Sequence, residues 1–137
     1  MRSDLGWIDA EVFVQAQLHG PHSDTCRRAL ALLEAGEITA HVDPVSVQEL
    51  VYALHEGLGW EKRQVAEYIA TVLLWESIEV FGGAEPVVLA IHHWARHDNL
   101  PFAGALLGMR AKDSHSQVCS VEVPDLTRAG REERSTE

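Results

Sequence analysis

The stretch Trp7-Ile8-Asp9-Ala10-Glu11-Val12-Phe13-Val14 decides the fold class, because its β-branched and aromatic residues predict a core strand from about Gly6 to Val14. A carboxylate inside such a strand is costly unless it lies at the exposed end of the strand, is paired, or binds a cation. Strand alternation places Glu11 on the same face as Asp9. A site at Asp9 would require other acidic residues that converge on it.

Length and composition favour one domain with one core. The chain has 137 residues, of which 46% are hydrophobic. We expect the domain to span residues 1–126, and a polar tail without apolar anchors to follow at 127–137. The apolar runs are too short for a membrane span. The two cysteines make neither a disulfide framework nor a four-ligand zinc site, so we expect a cytoplasmic protein.

The formal net charge of −10 disfavours non-specific nucleic-acid binding, because phosphates repel an acidic surface. It suits a metal-binding cleft or a basic partner. The basic residues are scattered, which favours a solvated surface over a continuous RNA track. Arg110 and Lys112 are the best candidates for a phosphate contact.

Periodicity and turn signals predict a chain in which strands alternate with helices. After the first strand, we expect strands at 38–42, 78–81 and 117–123, and helices at 24–35, 44–55, 61–75, from 86, and from 101. This order predicts an α/β fold, a three-layer αβα sandwich with a mainly parallel central sheet. In such sheets, ligands bind outside the carboxyl ends of the strands.

Two of these helices bear on function. In the helix at 44–55, Glu49 lies nearly opposite the apolar stripe, so its side chain points into solvent or a cleft. The helix that begins near Pro101 is apolar nearly all round, which predicts a buried helix under the edge of the sheet.

Four stretches together resemble the PIN domain, the fold of the toxin ribonucleases of bacterial VapBC-type toxin–antitoxin pairs. The stretches are Ile8-Asp9-Ala10-Glu11-Val12-Phe13, Val45-Ser46-Val47-Gln48-Glu49-Leu50-Val51-Tyr52-Ala53-Leu54, Leu100-Pro101-Phe102-Ala103-Gly104-Ala105-Leu106-Leu107 and Val118-Cys119-Ser120-Val121-Glu122. The resemblance extends over nearly the whole chain, from Trp7 to about Leu126. Each is weak alone, but their order and spacing match the family.

The resemblance implies a metal-dependent endoribonuclease in which Asp9, Glu49 and Glu122 are the catalytic carboxylates and ligands of Mg²⁺ or Mn²⁺. Glu11 is a possible additional metal ligand. The implied partners are an RNA substrate, a cognate antitoxin-like protein and a second copy of the chain in a homodimer. Carboxylate oxygens suit such hard cations, which lower the pKa of bound water.

The chain departs from the family pattern where acids are expected. Gly104 and Pro101 replace two acids of the late helix, Glu11 replaces the asparagine of the first strand, and Glu122 replaces an aspartate. A site with fewer carboxylates binds Mg²⁺ more weakly. The alternative is therefore a catalytically impaired PIN-fold protein that acts as a binding or assembly module. The sequence leaves open whether Asp98 or Asp125 joins the site.

Overall fold

The computed structural model describes residues 3–118, in which strands alternate with helices. The strands are β1 (Ser3–Trp7), β2 (Ile38–Val42) and β3 (Ile78–Val80). The helices are α1 (Ala10–Gln15), α2 (Ser23–Glu34), α3 (Pro44–Tyr52), α4 (Lys62–Leu73), α5 (Ala84–Arg96) and α6 (Phe102–Asp113), and a π-helical segment (Ala53–Gly57) continues α3.

The three strands form one parallel sheet in the order β1-β2-β3, with helices around it. Parallel neighbours need crossover connections, which helices α1 and α2 provide between β1 and β2, and helices α3 and α4 between β2 and β3. The predicted α/β class with a mainly parallel sheet is thus confirmed, and the arrangement is compatible with a PIN-like αβα sandwich.

The first strand differs from the prediction. β1 ends at Trp7, and a helix rather than a strand occupies Ala10–Gln15. A bulge near Gly6, whose φ is +77°, interrupts the pairing of β1 with β2. The predicted strand through Val14 is therefore wrong, and Glu11 lies in the first turn of α1 rather than on a strand face shared with Asp9.

Local capping signals explain why the next elements agree with the prediction. Asp43 accepts a hydrogen bond from the backbone amide of Val45 at 2.8 Å, and Pro44 occupies the first helical position of α3. At the end of α2, Gly36 adopts a φ of +77°, and the Glu37 amide donates to the Leu32 carbonyl at 2.9 Å. This is the glycine-terminated helix end that the sequence predicts.

Helix α6 is less buried than its composition predicts. Phe102 and Ala105 are buried, but Leu107 is 56% exposed, so the expectation of a helix buried all round is wrong. The helix packs chiefly against α5, so only one stripe of its surface is covered. The predicted strand at 117–123 has no counterpart at residues 117–118, and the rest of it and the tail at 127–137 lie outside the described residues.

The core lies between one face of the sheet and the helices. Ala40, Val42, Ile78 and Val80 alternate inward along β2 and β3. The largest fully buried side chains in residues 3–118 come from several helices and β2, and include Leu33, Leu54, Ile69, Ile91 and Phe102. Within the same residues, no helix has the length and apolar character that a membrane crossing requires.

The other sheet face is exposed near its carboxyl edge. Trp7 and Phe81 are 62% and 65% exposed, and their rings lie 6.4 Å apart. His41 stacks beside Trp7 at 5.3 Å between ring centroids. Its Nε2 and Nδ1 atoms each lie 3.5 Å from a carboxylate oxygen, of Asp4 and Glu79 respectively. We refer to Trp7, His41 and Phe81 as the aromatic sheet face.

Candidate site at the carboxyl edge of the sheet

Two aspartates occupy equivalent positions at the ends of neighbouring parallel strands. Trp7 and His41 are paired in the register of β1 and β2, and Asp9 and Asp43 each lie two residues farther along. Each aspartate is the N-cap of the helix that follows. The two residues therefore follow neighbouring strands, which lie about 4.8 Å apart in a sheet, at the edge where ligands of parallel sheets bind.

Asp9 uses one carboxylate oxygen to hold the first turn of α1. Its Oδ1 accepts from the backbone amide of Glu11 at 3.1 Å, and among the described residues no donor binds Oδ2. The side chain of Asp9 is exposed. Asp9 is thus placed at the end of a strand, where its charge is hydrated, and retains one oxygen for a ligand.

Asp43 has the same geometry as Asp9 and was not among the predicted site residues. Its Oδ1 accepts from Val45 N, which is the capping role that the Asp43-Pro44 pair predicts. A sequence signal for Asp43 does exist. The stretches Ile8-Asp9-Ala10 and Val42-Asp43-Pro44 resemble each other, because each joins a strand to a helix through an aspartate. The capping role of Asp43 is visible in the sequence, whereas its position relative to Asp9 depends on the pairing of the two strands.

Glu49 and Glu11 lie on the helices that begin at these caps. Glu49 is exposed on α3, as its position opposite the apolar stripe predicts. It is the sixth residue of the helix, which places it about 7.5 Å along the axis from the first. Glu11 is exposed, and its Oε1 accepts from Gln15 Nε2 at 2.7 Å.

The predicted metal ligands do not form a complete set within residues 3–118. That part of the chain contains no group of three or more His, Cys, Asp or Glu side chains arranged to hold a metal ion. Glu122 and Asp125 lie outside the described residues. The oxygen donors of Asp9 and Asp43 match the preference of Mg²⁺, which binds through one or two carboxylates and keeps several waters. The four-residue ligand set stays a prediction.

The end of the third strand brings basic groups to the same edge. Arg110 Nη1 donates to the Gly82 carbonyl at 3.2 Å. A Cβ on Gly82 would lie 2.9 Å from Arg110 Nη2, and its φ of +80° also requires glycine. An open cavity of about 690 Å³ lies beside this contact, and its charged lining residues are Lys112, Glu85 and Asp113. Both predicted phosphate-contacting residues therefore lie near the end of β3.

No protein-family model, curated protein or solved structure matches this chain. The resemblance to PIN domains therefore rests on the four sequence motifs and on an α/β architecture compatible with that fold.

A second cavity, of about 310 Å³, was not predicted from the sequence. It lies between the π segment, the beginning of α4 and the loop that joins α5 to α6. Its polar lining residues are Tyr52, His55, Glu56, Lys62 and Asn99. The sequence signal in this region, Gly57 and Gly59, predicts only a helix end. The π turns and the left-handed Asn99, with φ +62°, are visible only in three dimensions.

Proposed function

We propose that this chain is a PIN-like, metal-dependent endoribonuclease of toxin–antitoxin type, with its active site at the carboxyl edge of the sheet. The observation that carries the proposal is the pair Asp9 and Asp43, which follow the ends of adjacent parallel strands and each keep one carboxylate oxygen unbound within residues 3–118. The family resemblance adds Glu49 and Glu122, with Glu11 as a further ligand.

The arrangement suits hydrolysis of an RNA phosphodiester. If Mg²⁺ or Mn²⁺ were bound there, it would supply a nucleophilic water at neutral pH and offset charge on the phosphate. Asp9 and Asp43 would hold the cation from the two strand ends, and their capping bonds restrict how the carboxylates turn. Arg110 and Lys112 would bind phosphate at the third strand, because guanidinium and ammonium groups form charge-assisted hydrogen bonds with phosphate oxygens.

Calorimetric titration with Mn²⁺ tests the site without knowledge of the RNA target. We expect binding by the wild type and its loss in Asp9→Ala and in Asp43→Ala. Glu37→Gln is the matched control, since Glu37 is exposed directly before β2, at the opposite edge of the sheet. Cleavage of a pool of structured RNAs should then require the metal and fail in Asp9→Asn. Cleavage that persists in Asp9→Asn would mean that the site is assigned wrongly.

The second candidate is a PIN-fold protein without catalysis that acts as a binding or assembly module. Two observations favour it: Gly104 stands in the first turn of α6, where the resemblance expects an acid, and the aromatic sheet face is exposed. A second copy of the chain or an antitoxin-like protein would cover that face. Absence of Mn²⁺ binding at millimolar metal, together with a dimer in sedimentation that Trp7→Ser dissociates, would favour this function over the first.

A further inference from the structure

The cavity beside the π segment has walls that are fixed by contacts within the protein. Lys62 Nζ donates to the carbonyls of Trp94 and His97 at 3.4 and 3.2 Å, and lies 4.8 Å from the centre of the Trp94 ring. His55 Nδ1 lies 2.7 Å from the Trp60 carbonyl. These contacts join the beginning of α4 to the end of α5 and to the π segment, so the cavity is formed before any ligand arrives.

Three other lining groups remain available to a ligand. The Glu56 carboxylate and the Asn99 amide make no hydrogen bond or ion pair with any of the described residues, and both side chains are exposed. Tyr52 is 41% exposed and offers a ring on which a planar ligand can stack. Leu100 and Pro101 complete the lining with apolar surface.

The charge of the lining favours a neutral ligand. Glu56 contributes one negative charge and Lys62 one positive charge, so neither an anion nor a cation is selected by the lining as a whole. Aromatic, amide and carboxylate side chains are the groups that bind unstacked RNA bases, by stacking and by hydrogen bonds to their edges. The cavity of about 310 Å³ is large enough for one base with part of its ribose.

We propose that this cavity binds a guanine base of single-stranded RNA, with Tyr52 stacking on the ring and Glu56 accepting from its N1–H and N2–H groups. An ionised carboxylate has acceptors only. Guanine presents two adjacent donors on its Watson–Crick edge, whereas adenine, cytosine and uracil present one donor beside an acceptor. Glu56 therefore distinguishes guanine from the other bases. The inference rests on the proposed function, in that it takes RNA as the substrate.

The position of the cavity on α3 connects it with the proposed active site. Glu49 and Tyr52 are three residues apart, so they lie on neighbouring positions of one helix face, about 4.5 Å apart along the axis. A base stacked on Tyr52 would bring its own sugar–phosphate backbone beside Glu49. Tyr52 lies about 12 Å along the α3 axis from Pro44, so cleavage at the strand ends would then occur near a guanosine.

Binding in the absence of metal separates this inference from catalysis. The probes are a short oligouridylate with one central guanosine and its counterpart with a central adenosine, titrated in EDTA and followed by fluorescence anisotropy. We expect the wild type to bind the guanosine probe about tenfold more tightly, within the range of one good bidentate contact. Glu56→Gln should abolish the preference, and Glu37→Gln, which removes the same charge elsewhere, should retain it.

Two variants of Tyr52 test whether its ring stacks on the base. Tyr52→Ala should weaken binding of the guanosine probe about tenfold, since stacking on an aromatic side chain is lost. Tyr52→Phe should bind like the wild type, because it keeps the ring. Circular dichroism of each variant checks that the helices are intact.

The outcomes separate the two proposals. Equal binding of both probes by the wild type, no binding of either, or a preference unchanged by Glu56→Gln would overturn the guanine site, whatever the enzyme does with metal. Guanosine-selective binding without metal-dependent cleavage would retain the guanine site and refute the ribonuclease. Cleavage that depends on Asp9 but not on a nearby guanosine would retain the ribonuclease and refute the guanine site.

Discussion

Introducing an acid at Gly104 should stabilise the protein. Gly104 is the third residue of α6, and this helix has neither a side-chain cap nor an acidic residue in its first turn. Gly104 lacks a positive φ, and a Cβ there would lie 3.4 Å from Leu100 Cδ1 and 3.8 Å from Pro101 Cδ, which are ordinary contact distances. The structure therefore has room for a Cβ atom at this position.

The expected gain in the free energy of unfolding is the sum of two contributions. Replacing glycine in a helix gains a few tenths of a kcal/mol with aspartate and about 1 kcal/mol with alanine. A carboxylate in the first turn adds about 0.3–1 kcal/mol by its interaction with the helix dipole. For Gly104→Asp we expect a gain of about 1 kcal/mol in the free energy of unfolding, or about 3–5 °C in Tm.

Urea denaturation and thermal melting measure this gain, and Gly104→Asn is the uncharged control. The dipole lowers the pKa of the new carboxyl group, so its contribution is present above the unfolded pKa of about 3.9 and is lost as pH falls through the lower folded value. At neutral pH we expect a higher free energy of unfolding for Gly104→Asp than for Gly104→Asn, and this difference should disappear in acid. A Gly104→Asp protein that is less stable than the wild type, or a difference that does not depend on pH, would refute the reasoning.

The same variant bears on the proposed site. If residue 104 belongs to the ligand set, Gly104→Asp should bind Mn²⁺ about ten- to a hundredfold more tightly than the wild type, the range over which supporting carboxylates change metal affinity. Gly104→Asn should show a smaller change. Equal affinity in all three proteins would mean that residue 104 is not part of the site.

Three further predictions concern stability. Asp43→Ala removes the hydrogen bond to Val45 N and should cost about 1 kcal/mol in urea denaturation, whereas no change would mean that water replaces the cap. Phe102→Ala empties a site with 0% exposure and should cost about 3–5 kcal/mol by the same assay; a cost below about 1 kcal/mol would show that α6 is not anchored there. Burial raises the pKa of the Tyr68 phenol, only partly offset by its hydrogen bond from Gln17, so stability should fall as pH rises above about 10, where the unfolded phenol ionises. Tyr68→Phe should lessen this fall in alkaline melts, and an identical pH profile in the two proteins would contradict the assignment.

The elements that the sequence predicts well are those whose ends carry local chemical signals. Asp43 and Pro44 define the beginning of α3, and Gly36 ends α2, because each residue acts on backbone groups within one turn. The strand at Ile38–Val42 agrees in both bounds with its prediction, since it lies between two such signals. Local chemistry therefore accounts for the order of the elements and for the α/β class.

The first strand shows where this reasoning fails. Short apolar runs are compatible with either a strand or a helix. Val12, Phe13 and Val14 favour a strand by composition, but Ala10, Phe13 and Ala16 are buried at the three-residue spacing of a helix, and Asp9 caps it. The cap and the packing outweigh the intrinsic preference of β-branched residues.

The sequence predicts the exposure of two candidate site residues, but it does not indicate the position of Asp43. Asp9 and Glu49 are placed on exposed surfaces, as their cost of burial requires. Asp43 joins Asp9 only through the register of two strands that are far apart in sequence, and single-residue patterns carry no register. The guanine cavity depends on three segments that meet in space, so no single stretch of sequence indicates it.

In the π segment, the number of residues affects the cavity wall as much as the identity of those residues does. The Leu58 amide reaches back five residues to the Ala53 carbonyl at 2.9 Å, one residue farther than in an α-helix. Deleting Glu56 would let the α-helix continue, and the residues after the cut would point in nearly the same directions, because a π turn fits one extra residue into about the same rotation. The carboxylate would then be missing from the cavity wall while the core contacts of α3 remained. Among chains descended from the same ancestor, a one-residue gap here would therefore mark those that keep the fold but differ in what they bind.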